Sequence, residues 1–146
     1  PAIVEKKVGA FIYTFGPDGA PQALFVNNVF GYWTLPKGGS DDIEQDPKEA
    51  LKTVINTKCG IDIEVGDEIS HNSYTSNDPE KGKVTKEITY YHAYCPSPDV
   101  LDAADVDGIT EAKWFHVGDI KGLKTYPDMK KILDKGAELT KAADIV

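Results

Sequence analysis

The sequence predicts an α+β fold in which a mixed β-sheet is flanked by helices, an α/β/α sandwich. Segments rich in β-branched and aromatic residues dominate the chain, and two segments carry helical start signals. Their order is hairpin, strand, glycine-rich loop, helix, long hairpin, strand, helix. Because each helix has one apolar face that must be covered, a sheet between helices satisfies this order. With 146 residues and no compositional break, residues 1–146 are expected to form a single domain.

The first third of the chain is predicted to form a hairpin and a short strand. Residues 8–15 combine β-branched and aromatic side chains at alternating positions, which indicates a strand with both faces partly buried. The sequence GPDG at 16–19 is typical of a turn, and residues 22–26 are the returning strand. A short strand at 32–35 is expected to stop at the PKGG sequence of 36–39.

A helix is predicted over residues 47–58. Asp46 is expected to cap its first turn, Pro47 suits the first helical position, and Gly60 suits the C-terminal stop. An apolar stripe along one face indicates packing against the sheet. Its members are Ala50, Leu51, Val54 and Ile55.

The second half of the chain is predicted to contain a long hairpin. Residues 61–74 and 84–95 are strand-like, and the polar residues 76–83 between them suggest a solvated tip. Three further elements follow: an acidic, proline-containing loop at 96–108, a short strand at 111–116 and a C-terminal helix at 128–139.

Composition excludes several classes of protein. An apolar share of 40% is typical of globular chains, and no apolar run is long enough to span a membrane. We therefore expect a soluble, cytoplasmic protein without a membrane partner. The net charge of −8 argues against nucleic acid as a partner. Cys59 and Cys95 lack metal-site spacing and are expected to be buried, reduced thiols.

The glycine-rich loop and the following helix together resemble the Nudix hydrolase family. The family's box, GX5EX7REUXEEXGU, fits without insertion when it begins at Gly39 and ends at Gly60 and Ile61, with Ile55 at its aliphatic position. The preceding WTLPKG sequence at 33–38 is similar to the dinucleoside polyphosphate hydrolase branch. The resemblance covers nearly the whole chain and implies a Nudix fold with a loop-helix-loop box.

The same register places non-acidic residues where the family has its box carboxylates, so the Nudix box is degenerate. Gln45 replaces the first glutamate, Thr53 and Val54 replace the Arg-Glu pair, and Thr57 and Lys58 replace the Glu-Glu pair. In the family these glutamates hold divalent metals that bridge a diphosphate. Threonine and valine are poor ligands for Mg²⁺, and a lysine repels it. The resemblance therefore implies a polyphosphate-shaped cleft with weak or absent hydrolysis.

Three remaining glutamates could replace the missing ligands. Glu44 and Glu49 are candidate catalytic residues and metal ligands, and Glu87 on a later strand is a candidate outer ligand. If they act, the cofactor is Mg²⁺ or Mn²⁺; otherwise the protein has no metal. The alternative is structural, with Asp46 capping the helix and Glu49 interacting favourably with its positive end.

The candidate ligand-binding residues surround the glycine-rich loop. Lys37 and Lys58 could bind a phosphate by charge alone, although Lys58 could equally complement the helix dipole. Gly38 and Gly39 belong to the same candidate site, as does Tyr91. Aromatic residues are numerous enough for a base-stacking pocket, although most are expected to pack in the sheet: Tyr74, Tyr90, Tyr91, Tyr94, Phe115 and Tyr126. His92 and His116 are expected to be structural.

Three functions follow from these observations. The first is a binding protein for a small-molecule nucleotide or polyphosphate, specifically a nucleoside-diphosphate-linked ligand. The second is an active pyrophosphohydrolase that cleaves dinucleoside polyphosphates or nucleoside diphosphate derivatives with displaced acidic ligands. The third is a scaffold subunit that contacts protein partners through residues 78–83 and 99–107. The sequence does not define the oligomeric state.

Overall fold

A computed structural model describes residues 3–39, 46–99 and 109–144 of the chain. It contains strands β1 (Ile3–Phe15), β2 (Pro21–Asn28), β3 (Trp33–Thr34), β4 (Lys37–Gly39), β5 (Glu64–Asp78), β6 (Gly82–Tyr94) and β7 (Ile109–His116), and helices α1 (Pro47–Cys59) and α2 (Lys130–Asp144). Two 3₁₀ turns, Val117–Gly122 and Pro127–Met129, connect β7 to α2.

The described strands form one mixed sheet. Its order is β3-β2-β1-β6-β5, with β4 added to β1 and β7 added to β2. The β1 and β6 strands are parallel over Ile3–Tyr13, and the other pairs are antiparallel. This arrangement confirms the predicted mixed sheet with flanking helices.

Side chains along the central strands point alternately to the two faces of the sheet, and this divides the core into two clusters. In β1, Val8, Ala10 and Ile12 pack beneath α1, whereas Phe11 packs on the opposite side with α2. Because successive side chains of a strand point to opposite faces, one strand supplies both clusters. The predicted burial of both faces of the first strand is confirmed.

Asp46 and Gly60 cap the two ends of α1 as predicted. Asp46 accepts a hydrogen bond from the backbone N–H of Lys48 at 3.0 Å, and Gly60 adopts a left-handed conformation with φ of 70°. The predicted apolar stripe packs against the sheet, with Leu51 and Ile55 fully buried. The helix ends at Cys59, one residue beyond the prediction.

The glycine-rich loop is the clearest departure from the prediction. Residues 36–39 were expected to stop the preceding strand, but Lys37–Gly39 forms β4 and pairs with Lys7–Gly9 of β1. Gly38 lacks a side chain at the point where α1 comes closest, so the backbone can lie flat in the sheet there. The predicted strand over 32–35 shortens to Trp33–Thr34, because Tyr32 instead stacks on Tyr126.

The long hairpin is confirmed, but its tip is shorter than predicted. Its strands extend to Asp78 and Gly82, so that only residues 79–81 form the turn. The Asp78 carboxylate accepts hydrogen bonds from the backbone N–H groups of Glu80 and Lys81 at 2.8 and 2.9 Å, which tightens the tip.

The C-terminal helix also differs from the prediction in its bounds. The predicted start at Asp128 lies in the 3₁₀ turn Pro127–Met129, and α2 begins at Lys130. A proline favours such a tight first turn because its φ is fixed and its nitrogen has no proton to donate. The helix continues to Asp144, five residues beyond the predicted end at Leu139.

His92 is a buried histidine held by side-chain contacts, as predicted. Its Nε2 lies 2.9 Å from the Thr140 hydroxyl oxygen, and its ring stacks on Tyr13 with centroids 4.6 Å apart. The Thr140 hydroxyl donates a hydrogen bond to the carbonyl of Gly136 at 2.8 Å, so it accepts a hydrogen bond from Nε2–H of His92. This network connects β6 to α2.

Burial of His92 predicts that acid destabilises the fold. Burial lowers the pKa of the imidazole to about 4, whereas the unfolded chain has a pKa of about 6.5. The unfolded state binds the proton first as pH falls, so stability declines between these two values. We expect this residue to contribute a loss of about 1–2 kcal/mol between pH 7 and pH 5.

Urea unfolding at the two pH values measures this effect. The His92→Gln variant is expected to lose less stability on acidification than the unsubstituted chain, and a matched His116→Gln variant, at an exposed position, is expected to behave like the unsubstituted chain. Equal pH dependence in all three proteins would show that His92 is not the group responsible.

Candidate functional site

The strand β4 brings the candidate ligand-binding loop against α1. A Cβ atom added to Gly38 would lie 2.7 Å from Cγ1 of Val54 and 3.3 Å from Cε of Lys58. Two box positions, Val54 and Lys58, therefore face the glycine-rich strand, whereas Thr53 and Thr57 are exposed. The helix directs an aliphatic group and a lysine toward the loop.

A cavity of about 370 Å³ lies at this junction and has three lysines in its wall. Lys7 comes from β1, Lys37 from β4 and Lys58 from α1. The remaining lining residues are Val26, Asn28, Thr34, Leu35, Gly38, Gly39 and Ile109. None of the described residues that line this cavity is acidic. We call it the lysine cleft.

The lysines in the cleft act on one another electrostatically. Burial lowers the pKa of Lys37, and the positive charges of Lys7 and Lys58 lower it further, whereas Asp128 partly opposes this effect. Ammonium groups that repel one another across a cavity are stabilised by an anion placed between them. The cleft therefore favours a negatively charged ligand, although the chain as a whole carries a net charge of −8.

A second cavity of about 590 Å³ adjoins the lysine cleft. Thr34 and Lys37 line both cavities, so the two cavities are neighbours at these residues. The other lining residues are Asn72, Ser73, Tyr74, Ile88, Tyr90, Tyr126, Asp128 and Met129. We call it the tyrosine cavity. Its aromatic rings and polar side chains suit a flat ring with hydrogen-bonding edges.

Contacts outside the tyrosine cavity hold the ring of Tyr126 in place, and burial keeps Tyr90 neutral. Tyr126 stacks on Tyr32 with centroids 4.2 Å apart, and its hydroxyl accepts a hydrogen bond from the Asn28 amide at 2.8 Å. Burial, Asp128 and Tyr74 raise the pKa of Tyr90 to about 12. Tyr90 is therefore a neutral hydrogen-bond donor or acceptor at physiological pH.

The candidate acidic ligands do not converge within the described residues. Glu49 is exposed in the first turn of α1 and pairs with Lys52 at 3.2 Å. Glu87 lies on β6 opposite Lys6 of β1, and neither glutamate lines the lysine cleft or the tyrosine cavity. Glu44 lies outside the described residues.

The described part of the site does not fit a divalent metal. Mg²⁺ and Mn²⁺ bind hard oxygen ligands, mainly carboxylates. No group of three or more His, Cys, Asp or Glu side chains in the described ranges is arranged to hold a metal. The three ammonium groups of the lysine cleft would repel a cation. The chemistry that these residues support is electrostatic binding of an anion.

Four of the five predicted ligand-binding residues lie together. Lys37, Gly38, Gly39 and Lys58 all line the lysine cleft. Tyr91 does not, because it is buried in the cluster beneath α1 with 7% exposure.

The other aromatic candidates divide between the tyrosine cavity and the core. Tyr74, Tyr90 and Tyr126 line the cavity, whereas Tyr94 packs on Tyr13. Phe115 packs against Phe25 and Trp33. Most of the six rings were expected to pack in the sheet; Tyr91, Tyr94 and Phe115 do so, whereas the other three line the cavity.

Sequence reasoning missed Lys7 and Asp128 as cavity residues, and it chose Tyr91 rather than Tyr90 as the ligand-binding tyrosine. Lys7 is distant in sequence from the glycine-rich loop and reaches it because β1 pairs with β4, with Lys7 opposite Gly39. Strand parity could have selected Tyr90 over Tyr91, since the two point to opposite faces. That choice would have required knowing which face of the sheet carries the tyrosine cavity.

The overall fold is similar to those of several known proteins. The C. elegans Ap4A hydrolase binary complex is similar at 20% identity, a TM-score of 0.70 and coverage of 94% of this chain and 98% of that chain. The NUDIX domain of Shewanella oneidensis NrtR, cocrystallised with ADP ribose, is similar at 18% identity, a TM-score of 0.69 and coverage of 96% and 89%. These likenesses show a common fold.

A further structural relative is the MutT protein from Methanosarcina mazei Go1, at 18% identity, a TM-score of 0.62 and coverage of 96% of both chains. No curated protein matches the sequence. Among the described residues, no helix is both long enough and apolar enough to cross a membrane. The family model described as "NUDIX domain" matches residues 5–136, and the chain therefore belongs to this family.

Proposed function

We propose that this Nudix-fold protein binds a nucleoside-diphosphate-linked ligand without a divalent metal and hydrolyses it weakly or not at all. The observation that carries the proposal is the lysine cleft, where Lys7, Lys37 and Lys58 surround the glycine-rich strand. These residues supply fixed positive charge at the place where the resemblance implies metal-bound phosphates.

Lysine charge can replace a metal in binding but not in activating water. An ammonium group attracts phosphate oxygens and donates hydrogen bonds to them. It does not lower the pKa of a coordinated water as a divalent ion does. In the lysine cleft the phosphates are therefore held, while no described residue of its lining is a carboxylate that could accept a proton from an attacking water.

The adjoining tyrosine cavity supports a ligand that has a nucleoside attached to its phosphates. A phosphate group beside Lys37 places the next part of the molecule next to Thr34 and Tyr90. Tyr74 and Tyr126 provide surfaces on which a base can stack, and Asn72 and Asp128 provide polar partners for its edges. Similarity to a NUDIX domain cocrystallised with ADP ribose supports this ligand class.

Calorimetry in the presence and absence of metal tests the proposal. ADP ribose and Ap4A are titrated into the full chain, first in EDTA and then in excess Mg²⁺ or Mn²⁺. We expect binding in EDTA, with metal changing the affinity by no more than about threefold. We also expect binding to weaken as salt rises, because the contacts are ionic. Product analysis of the same samples is expected to show intact ligand.

Two simpler ligands test binding to the two cavities separately. Inorganic tripolyphosphate tests the lysine cleft alone, and adenosine tests the tyrosine cavity alone. Each is expected to bind more weakly than ADP ribose. The proposal is wrong if no ligand binds in EDTA while Mg²⁺ strengthens binding by about a hundredfold or more, or if metal produces rapid cleavage. That result would favour a hydrolase with acidic ligands such as Glu44.

A further inference from the structure

The outer edge of β5 is unpaired within the described residues. The strand lies at the end of the sheet and pairs only with β6. No backbone hydrogen bond from a described turn or loop reaches it. A row of backbone N–H and C=O groups along this edge is therefore available to another strand.

The unpaired edge carries no Asp, Glu, Lys or Arg over residues 69–77. We call this segment the uncharged edge; its sequence is ISHNSYTSN. Five consecutive residues within it, 71–75, are exposed, and Tyr74 keeps 48% of its surface accessible. In a chain of net charge −8, such a stretch is where two copies can approach with the least repulsion.

The uncharged edge also lacks the devices that keep strand edges from pairing. It contains no proline, glycine or lysine. From Ser70 to Asp78 it keeps a regular register with β6, and the irregularities of β5 lie earlier, between Val65 and Ser70. A bulge bends the strand locally, so the acidic pair Asp67 and Glu68 lies before the straight segment.

We propose that two copies of this chain pair antiparallel along the uncharged edge. A two-fold axis at Ser73 sets His71 opposite Thr75 and Asn72 opposite Tyr74, with each pair on one face of the sheet. The segment forms a ladder of about 30 Å at the usual rise per residue. Main-chain hydrogen bonds hold the ladder, and the absence of Asp, Glu, Lys and Arg over residues 69–77 permits it; Glu68 and Asp78 face each other only just beyond the two ends of the ladder.

The proposed pairing adjoins the tyrosine cavity. Asn72 and Tyr74 both line that cavity in one copy, and in the dimer each faces the other residue type of the second copy. The second copy thus extends the wall of the tyrosine cavity at its β5 side. The pairing does not require the proposed ligand, because no residue of the uncharged edge lines the lysine cleft.

Sedimentation velocity across the micromolar range, together with two double variants, tests the pairing. His71→Lys combined with Thr75→Lys places like charges opposite one another and is expected to raise the dimer dissociation constant by about tenfold or more. His71→Lys combined with Thr75→Glu places opposite charges in the same positions and is expected to keep the dimer. Both variants lose the contact of His71 with the Thr89 hydroxyl at 2.8 Å, so this loss is matched.

Hydrogen exchange provides a second measurement on the unsubstituted chain. Amides of residues 70–76 that point away from β6 are expected to exchange more slowly as protein concentration rises. A chain that stays monomeric at every concentration, with exchange independent of concentration, overturns the proposal. So does equal dissociation of the two double variants when circular dichroism shows both to be folded. A strand of another protein protecting these amides also overturns it.

Discussion

Replacing Lys37 and Lys58 with glutamine is expected to weaken binding of ADP ribose in EDTA by about a hundredfold or more. Each glutamine keeps a hydrogen-bonding group but removes a full positive charge. A hydrogen bond to a charged group contributes about 1.5–3 kcal/mol. The two lysines come from β4 and α1 and line the same cleft, so their losses act on the same phosphates.

A matched variant distinguishes the loss of lysine contacts in the cleft from the change in the net charge of the protein. Lys83→Gln with Lys135→Gln makes the same change in net charge at exposed positions that line neither the lysine cleft nor the tyrosine cavity. It is expected to bind nearly as well as the unsubstituted chain at moderate salt, where distant charges are screened. Equal weakening by both pairs would mean that overall charge, rather than the cleft, drives binding. Thermal unfolding verifies that all variants are folded.

The fold was predictable from the sequence because its signals are local. Asp46, Pro47 and Gly60 mark the ends of α1 through hydrogen bonds and dihedral angles that involve only neighbouring residues. The β4 strand was not predictable in this way. Lys37–Gly39 becomes a strand because β1 offers it a partner edge, and that pairing joins residues about thirty positions apart in the sequence.

The candidate site was predictable in part for the same reason. Lys37, Gly38, Gly39 and Lys58 belong to one motif whose spacing places them together. Lys7 joins them only through strand pairing, and no local pattern distinguishes it from Lys6. The division between the tyrosine cavity and the core depends on which strand face meets α2, a property of the assembled sheet.

The packing of α2 against β1 depends on one glycine, and Gly136→Ala is expected to destabilise the fold by at least about 2 kcal/mol. A Cβ atom at this position would lie 2.3 Å from Cδ2 and 2.4 Å from Cγ of Phe11. Phe11 is fully buried in the cluster beneath α2, so its ring has no free space into which to turn. Alanine in a helix interior is otherwise favoured over glycine by about 1 kcal/mol.

Whether Gly136→Ala lowers or raises the free energy of unfolding shows whether packing against Phe11 or helix propensity dominates at this position. Urea unfolding of Gly136→Ala measures it, and Gly122→Ala is the control, since a Cβ atom there meets nothing within 4 Å. Combining Gly136→Ala with Phe11→Leu is expected to cost less than the sum of the two single changes, because the clashing ring is gone. A stabilised Gly136→Ala variant would mean that α2 does not lie this close to β1. Asp128 and Met129, which line the tyrosine cavity from the turn just before α2, would then be placed differently.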